Sequence, residues 1–118
     1  MSARDYVESL PSWERRELAR AANAFEEGRD TGSFLLEEWQ LTANEGANFI
    51  CGWCVPPGQG SRLVALAVVG ADPGRGRIFT VVGWLTLGTG VDPVEVPRGV
   101  LERFEADAQI LRNALLNP

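Results

Sequence analysis

Three stretches decide the fold: NFICGWCV at residues 48–55, RLVALAVV at 62–69 and IFTVVGWLTL at 78–87. Each is rich in β-branched and aromatic residues, and clusters of Gly, Pro and Asn separate them, which is typical of strands joined by turns. A fourth stretch, residues 34–42, is interrupted by Glu37 and Glu38. It is either an edge strand with a bulge or a helical turn. The connections are too short for a helical crossover, so we expect neighbouring strands to be antiparallel.

Helical patterns flank these stretches. Residues 11–27 carry an apolar stripe at helical spacing, and Gly28 follows as a stop signal. Residues 97–116 carry a second stripe at alternating spacings of three and four, made of Leu101, Phe104, Ala108, Leu111 and Leu115. The sequence therefore predicts an α+β fold in a single domain, residues 1–118. Its elements are an N-terminal helix, a four-stranded antiparallel β-meander and a C-terminal helix.

Composition excludes several classes of protein. The chain has 118 residues, 45% of them apolar and 23% charged, which is the balance of an ordinary globular domain. A net charge of −5 disfavours a nucleic-acid partner, because such binding depends on neutralising phosphates. We see no signal peptide and no apolar run long enough to cross a bilayer, so we expect no membrane partner. With two cysteines and no targeting segment, we expect a cytoplasmic protein with reduced thiols.

The residues that most enzymes use are largely missing. The sequence contains no His, and all eleven basic residues are Arg. Catalytic triads, His-zinc sites, Schiff bases and phosphate-binding lysines are therefore excluded by composition. We expect no metal and no cofactor, and a non-catalytic role is favoured over an enzymatic one.

The strands are apolar on both faces. Residues 48–55 carry Phe49, Cys51, Trp53 and Val55 on one face, and the opposite face is also apolar. Each helix can cover one face, or both helices can pack on one face and leave the other for a second copy, a partner or a ligand. Whether Trp53 and Trp84 share a face depends on hairpin register, which the sequence leaves open.

These observations favour a protein-interaction module that acts through an apolar, Trp-bearing sheet face. An immunity-type inhibitor, a secretion chaperone or a regulatory adaptor fits, with a protein partner, a homodimer or both. Trp39, Trp53 and Trp84 are the candidate anchors, since Trp is enriched in interface hot spots. Arg75 and Arg77 can bind a carboxylate or a phosphate, although charged side chains solvated at a turn are the simpler interpretation.

Two alternatives remain open. The first is a ligand-binding protein or enzyme with a Trp-lined cavity between sheet and helix. Its polar groups would come from Arg62, Glu37, Glu38, Thr80 and Thr86. The second is a thiol redox protein that uses Cys51 and Cys54. On a strand, their spacing of three sends the two thiols to opposite faces, which favours structural cysteines instead.

Overall fold

The computed structural model describes residues 2–28, 32–55, 60–88 and 98–117. In these ranges the chain forms, in order, α1 (Ala3–Ser9), α2 (Ser12–Glu26), β1 (Ser33–Thr42), β2 (Phe49–Val55), β3 (Arg62–Ala67), β4 (Gly70–Asp72), β5 (Arg77–Thr80), β6 (Gly83–Leu87) and α3 (Arg98–Leu116). The strands form one curled sheet in the order β3-β2-β1-β6-β5-β4. Only Val68 and Val69 separate β3 from β4, the two ends of that order, so the curl brings the sheet's ends together.

The α+β class with helices at both ends of the chain is confirmed, but the four-stranded antiparallel meander is too simple. The third predicted strand ends at Ala67, and its continuation, β4, lies at the opposite end of the sheet. The fourth predicted strand is a hairpin of β5 and β6. Thr80 Oγ1 accepts a hydrogen bond from the Val82 amide at 3.2 Å in this turn. Gly83 has a φ of 101°, which a residue without a Cβ adopts without strain.

The expectation of antiparallel neighbours is wrong for one pair. β1 and β6 run parallel, from Ser33 opposite Trp84 to Leu36 opposite Leu87. All the strands between β1 and β6 in sequence lie elsewhere in the sheet, so the long path through them supplies the connection that a parallel pair needs.

Residues 34–42 form a bulged strand, the first of the two options that the sequence left open. The bulge lies at Glu38, with a φ of 49°, and β1 is a central strand instead of an edge strand. Gly52 on β2 accommodates the bulge, because a Cβ there would lie 2.9 Å from the Glu37 carbonyl oxygen and from Trp39 Cα. Its small size therefore serves the neighbouring backbone.

The first helix, α1, was not predicted. It begins with a capping box: the Ser2 hydroxyl accepts a hydrogen bond from the Asp5 amide at 3.2 Å, and the Asp5 carboxylate accepts one from the Ser2 amide at 3.0 Å. These bonds satisfy amides that the first helical turn leaves unpaired. They also hold the pKa of Asp5 below its usual value.

The two faces of the sheet are covered differently. On the inner face, sheet residues such as Leu36, Ile78 and Leu85 are fully buried against Leu101 and Phe104 of α3. On the outer face, α1 and α2 cover one part of the sheet. There they bury Phe49, Ala67, Val69, Phe79 and Trp84 to different degrees. The helices therefore cover the inner face and only part of the outer face.

Arg112 on α3 connects this helix to α2 and to the backbone between β3 and β4. Its guanidinium makes a bidentate pair with Glu105 at 2.9 and 3.0 Å, and its Nε donates to Glu26 on α2 at 2.9 Å. It also donates to the Val69 carbonyl at 2.9 Å and stacks 4.2 Å from the centre of the Phe25 ring. Burial opposes its charge, but the hydrogen bonds and charges of Glu105 and Glu26 outweigh that effect and raise the pKa of Arg112.

Candidate protein-docking surface

The uncovered part of the outer face is an apolar strip across β1, β2 and β3, which we call the docking strip. It pairs Leu35 with Val55, Trp53 with Leu63, and Cys51 with Ala65. Leu63 is 66% exposed, Trp53 42% and Leu35 40%. None of the six residues carries a formal charge at neutral pH, but Glu37 on β1 is the cross-strand partner of Trp53 and places a carboxylate beside them on the same face.

A groove of about 430 Å³ adjoins the docking strip. We call it the Trp13 groove, and Ala65 belongs to both features. Phe49 and Val81 line it, and Trp13, on the first turn of α2, is 61% exposed beside it. Glu14 also lines the groove. Projecting side chains of the strip and an adjacent concave site thus lie on the same side of the molecule.

The three predicted Trp anchors lie in different environments. Trp53 stands exposed in the docking strip, whereas Trp84 is only 8% exposed, with Phe79 at 5.0 Å between ring centres and the Arg77 guanidinium 4.0 Å above its ring. The Trp39 indole N–H donates to the Gly88 carbonyl at 3.1 Å, and the ring packs against the inner-face cluster. Of the three, only Trp53 has the exposure that a docking anchor needs.

The structure answers the question of register that the sequence left open. Ser33 and Leu35 point to the same face of β1, and they pair with Trp84 on β6 and Val55 on β2 respectively. Val55 and Trp53 in turn share a face of β2. Trp53 and Trp84 therefore share the outer face, where α2 covers Trp84 but not Trp53.

Arg75 and Arg77 are not part of the docking strip. They flank the turn between β4 and β5, at the opposite end of the strand order from β3. Arg77 Nε donates to the Asp72 carboxylate at 3.3 Å, and Arg75 Nε lies 3.9 Å from the same oxygen. The single Asp72 carboxylate thus lies beside both guanidinium groups and offsets at most one of their two positive charges, so binding of an external anion there stays a prediction.

The two cysteines lie on opposite faces of β2, as their spacing predicted. Cys51 is partly exposed on the outer face, while Cys54 is buried in the inner cluster, and neither forms a disulfide. Burial raises the pKa of the Cys54 thiol, and the nearby Arg62 charge only partly opposes this. A buried thiol with a raised pKa is a poor nucleophile. The redox alternative therefore gains no geometric support.

The polar residues proposed for an enclosed ligand site are dispersed. Thr80 is engaged in the β5–β6 turn, and the Thr86 hydroxyl lies 2.7 Å from that of Ser33, where the two share a hydrogen bond. Arg62 lies at the start of β3, opposite Cys54. Glu37 precedes the bulge in β1 and pairs with Trp53, and Glu38 lies in the bulge. Since these groups belong to separate neighbourhoods, they offer no convergent binding site.

Sequence reasoning missed Trp13 as a surface residue. Its signal was available, because Trp13 lies off the apolar stripe formed by Leu18, Ala21, Ala22 and Phe25 of the same helix. A large aromatic residue outside the buried face of an amphipathic helix is a candidate for partner contact. The adjoining groove, in contrast, depends on tertiary packing.

Within the described ranges, no group of three or more potential metal-ligating side chains comes together. In that same part of the chain, no helix combines the length and the apolar character needed to cross a membrane. Comparison with protein-family models, with curated proteins and with solved structures found no match to this chain.

Proposed function

We propose that this chain is a non-catalytic protein-interaction module that forms a homodimer through the docking strip. The observation that carries the proposal is the exposure of Leu63, Trp53 and Leu35 together on one sheet face. Removing apolar surface from water is favourable by about 25 cal/mol of free energy for each Å². A contiguous patch of this kind on a soluble domain marks a surface that another molecule covers.

The shape of the surface supports a second copy as the occupant. Leu63 and Trp53 project next to the Trp13 groove, so one surface holds both a protrusion and a concave site. In a two-fold dimer the same patch meets itself, and the protrusion of each copy can fill the groove of the other. A patch that carries both is self-complementary.

Charge limits which part of the outer face a second copy can cover. Two chains of net charge −5 repel each other, and this repulsion is weakest where the facing surfaces are neutral. The six residues of the docking strip are uncharged, whereas Glu37, the cross-strand partner of Trp53, borders them on the same face. The acidic Glu14 and Glu17 lie at the groove and not in the strip.

The proposal covers the three roles that the sequence predicted, an immunity-type inhibitor, a secretion chaperone and a regulatory adaptor, because each acts by binding and not by catalysis. We propose the cytoplasm as its compartment, and the support is that Cys51 and Cys54 are both free thiols.

The test is molar mass measured by light scattering over a range of micromolar concentrations. We expect the wild-type chain to have the mass of a dimer and Leu63→Ser to have that of a monomer. The matched control is Ile110→Ser, which removes an aliphatic side chain of similar exposure, 59% against 66%, from α3, a helix that contributes no residue to the docking strip or the Trp13 groove. Ile110→Ser should remain dimeric.

Circular dichroism and thermal unfolding establish that both variants are folded. A wild-type chain that is monomeric throughout the range would overturn the homodimer. A dimer that Leu63→Ser leaves intact and Ile110→Ser dissociates would move the interface from the docking strip to α3.

A further inference from the structure

A second groove lies among the three helices, away from the docking strip. It has a volume of about 510 Å³ and shares no lining residue with the strip or with the Trp13 groove. Arg4, Arg15 and Arg16 stand around it, and its apolar lining includes Val7, Ala19 and Leu115. We call it the arginine groove.

The charge of the arginine groove is opposite to that of the whole chain. Three of its lining side chains are cationic, and one, Glu8, is anionic. Arg4, Arg15 and Arg16 are exposed, and none of them forms an ion pair with any residue of the described ranges. Outside the groove, some arginines are paired, such as Arg20 with Glu17, Arg77 with Asp72 and Arg112 with Glu105, and Arg62 and Arg103 form no ion pair within the described ranges. An acidic chain thus places three cations, with one anion, around a single groove.

We infer that the arginine groove binds an acidic, amphipathic segment of a partner protein, whose carboxylates pair with Arg4, Arg15 and Arg16 while its apolar side chains contact Val7, Ala19 and Leu115. Arginine presents fixed pairs of N–H donors that match the two oxygens of a carboxylate. An apolar floor beneath charged walls is the arrangement by which a groove between helices recognises an amphipathic helix.

The shape of the groove favours a peptide over a small molecule. It opens along the junction of α1, α2 and α3, whereas sites for small ligands enclose most of the ligand surface. A membrane surface is disfavoured, because an anionic bilayer would meet the other acidic faces of a chain with net charge −5. A protein segment reaches the groove without that repulsion.

The test is fluorescence anisotropy with a labelled amphipathic helical peptide that carries Leu on one face and Glu on the other. A second peptide has Gln in place of every Glu. We expect the Glu peptide to bind the wild-type protein more tightly than the Gln peptide, and added salt to weaken its binding, since exposed charges are screened over about 10 Å at 0.1 M salt.

The variant Arg4→Ser/Arg15→Ser/Arg16→Ser should lower the affinity for the Glu peptide by about tenfold or more, because each exposed ion pair contributes up to about a fivefold effect. The control Arg20→Ser removes an arginine of the same helix that pairs with Glu17 at 3.7 Å and lies outside the groove lining. It should bind the Glu peptide as the wild type does.

Equal binding of the Glu and Gln peptides, wild-type affinity in the triple variant, or no binding of the Glu peptide to the wild type would each overturn the inference. Sedimentation with phosphatidylserine vesicles completes the test, since vesicle binding without peptide binding would assign the groove to a lipid surface. The inference is separate from the homodimer: Leu63→Ser should bind the Glu peptide as the wild type does, so either proposal can fail alone.

Discussion

Trp53 and Leu63 lie directly opposite each other on β2 and β3, with both side chains exposed on the outer face of the sheet. Cross-strand partners on one face are close enough to act as one apolar unit. Phe49 and Ala67, also partners on these strands and on the same face, are instead packed against the helical layer. The same two strands thus contribute to the core at one end and to the docking strip at the other.

Removing the Trp53 side chain should weaken the dimer without unfolding the monomer. A central interface Trp contributes about 2 kcal/mol or more, so Trp53→Ala should raise the dimer dissociation constant by about 30-fold. The control is Trp39→Phe, which loses the hydrogen bond to the Gly88 carbonyl and about 1 kcal/mol of folding stability but leaves the strip intact. Sedimentation equilibrium measures the dissociation constants. Equal constants for the two variants would remove Trp53 from the interface.

Gly70→Ala should destabilise the fold. A Cβ at Gly70 would overlap the Phe25 ring, which packs against Phe79 and Trp84. Overpacking of this kind costs about 1–3 kcal/mol. Gly99→Ala is the matched control. A Cβ there would meet no described atom within 4 Å outside its neighbours and its own helix backbone, and alanine favours the helix. Urea denaturation should show a lower midpoint for Gly70→Ala and an unchanged or higher one for Gly99→Ala. Equal midpoints would contradict the packing of Phe25 on β4.

Arg112→Ala should be among the most destabilising substitutions. It leaves Glu105 without its bidentate partner and removes the bond to the Val69 carbonyl, and breaking a buried pair in this way costs about 3–5 kcal/mol. Arg103→Ala, at an exposed position of the same helix, should change the free energy of unfolding by about 0.5 kcal/mol or less. Calorimetry measures the loss of unfolding free energy in both variants. Similar losses would show that the contacts of Arg112 with Glu105 and Val69 contribute little to stability.

The two thiols should react at different rates in the folded protein. At a protein concentration at which the chain is monomeric, iodoacetamide should alkylate Cys51 first, because Cys54 is buried and its pKa is raised. Cys51→Ser and Cys54→Ser assign each rate by mass spectrometry, and denaturant should abolish the difference. The raised pKa means that the folded state favours the neutral Cys54 thiol. The contribution of this thiol to folding stability is therefore fully present below the pKa that Cys54 has in the unfolded chain. It is lost as the pH rises through the folded pKa. Faster alkylation of Cys54 would contradict its placement on the inner face.

Local patterns were sufficient to predict much of this fold. The stripes of α2 and α3 predicted their positions and buried faces, and alternation placed Cys51 and Cys54 on opposite sides of β2. The path of the chain after Ala67 could not be predicted in this way, because Val68 and Val69 continue the apolar run of β3 without a break. That turn arises from the curl of the sheet, a tertiary property.

The candidate docking strip could also be predicted only in part, because its extent depends on tertiary packing. Excess apolar surface was visible in the strands, and Trp53 is indeed exposed. Which Trp stays exposed depends on which part of the sheet the helices cover. Phe25 of α2 packs on Trp84. The arginine groove brings residues of α1 and α2 together with Leu115 of α3, so no local spacing marks it.

Hydroxyl-radical footprinting at increasing protein concentration shows whether a second copy covers the docking strip, since it measures the solvent access of individual side chains. Oxidation of Trp53 and Leu63 should fall as dimers form, while oxidation of Ile110 should stay constant. Equal oxidation of Trp53 and Leu63 at every concentration would show that no second copy covers the docking strip.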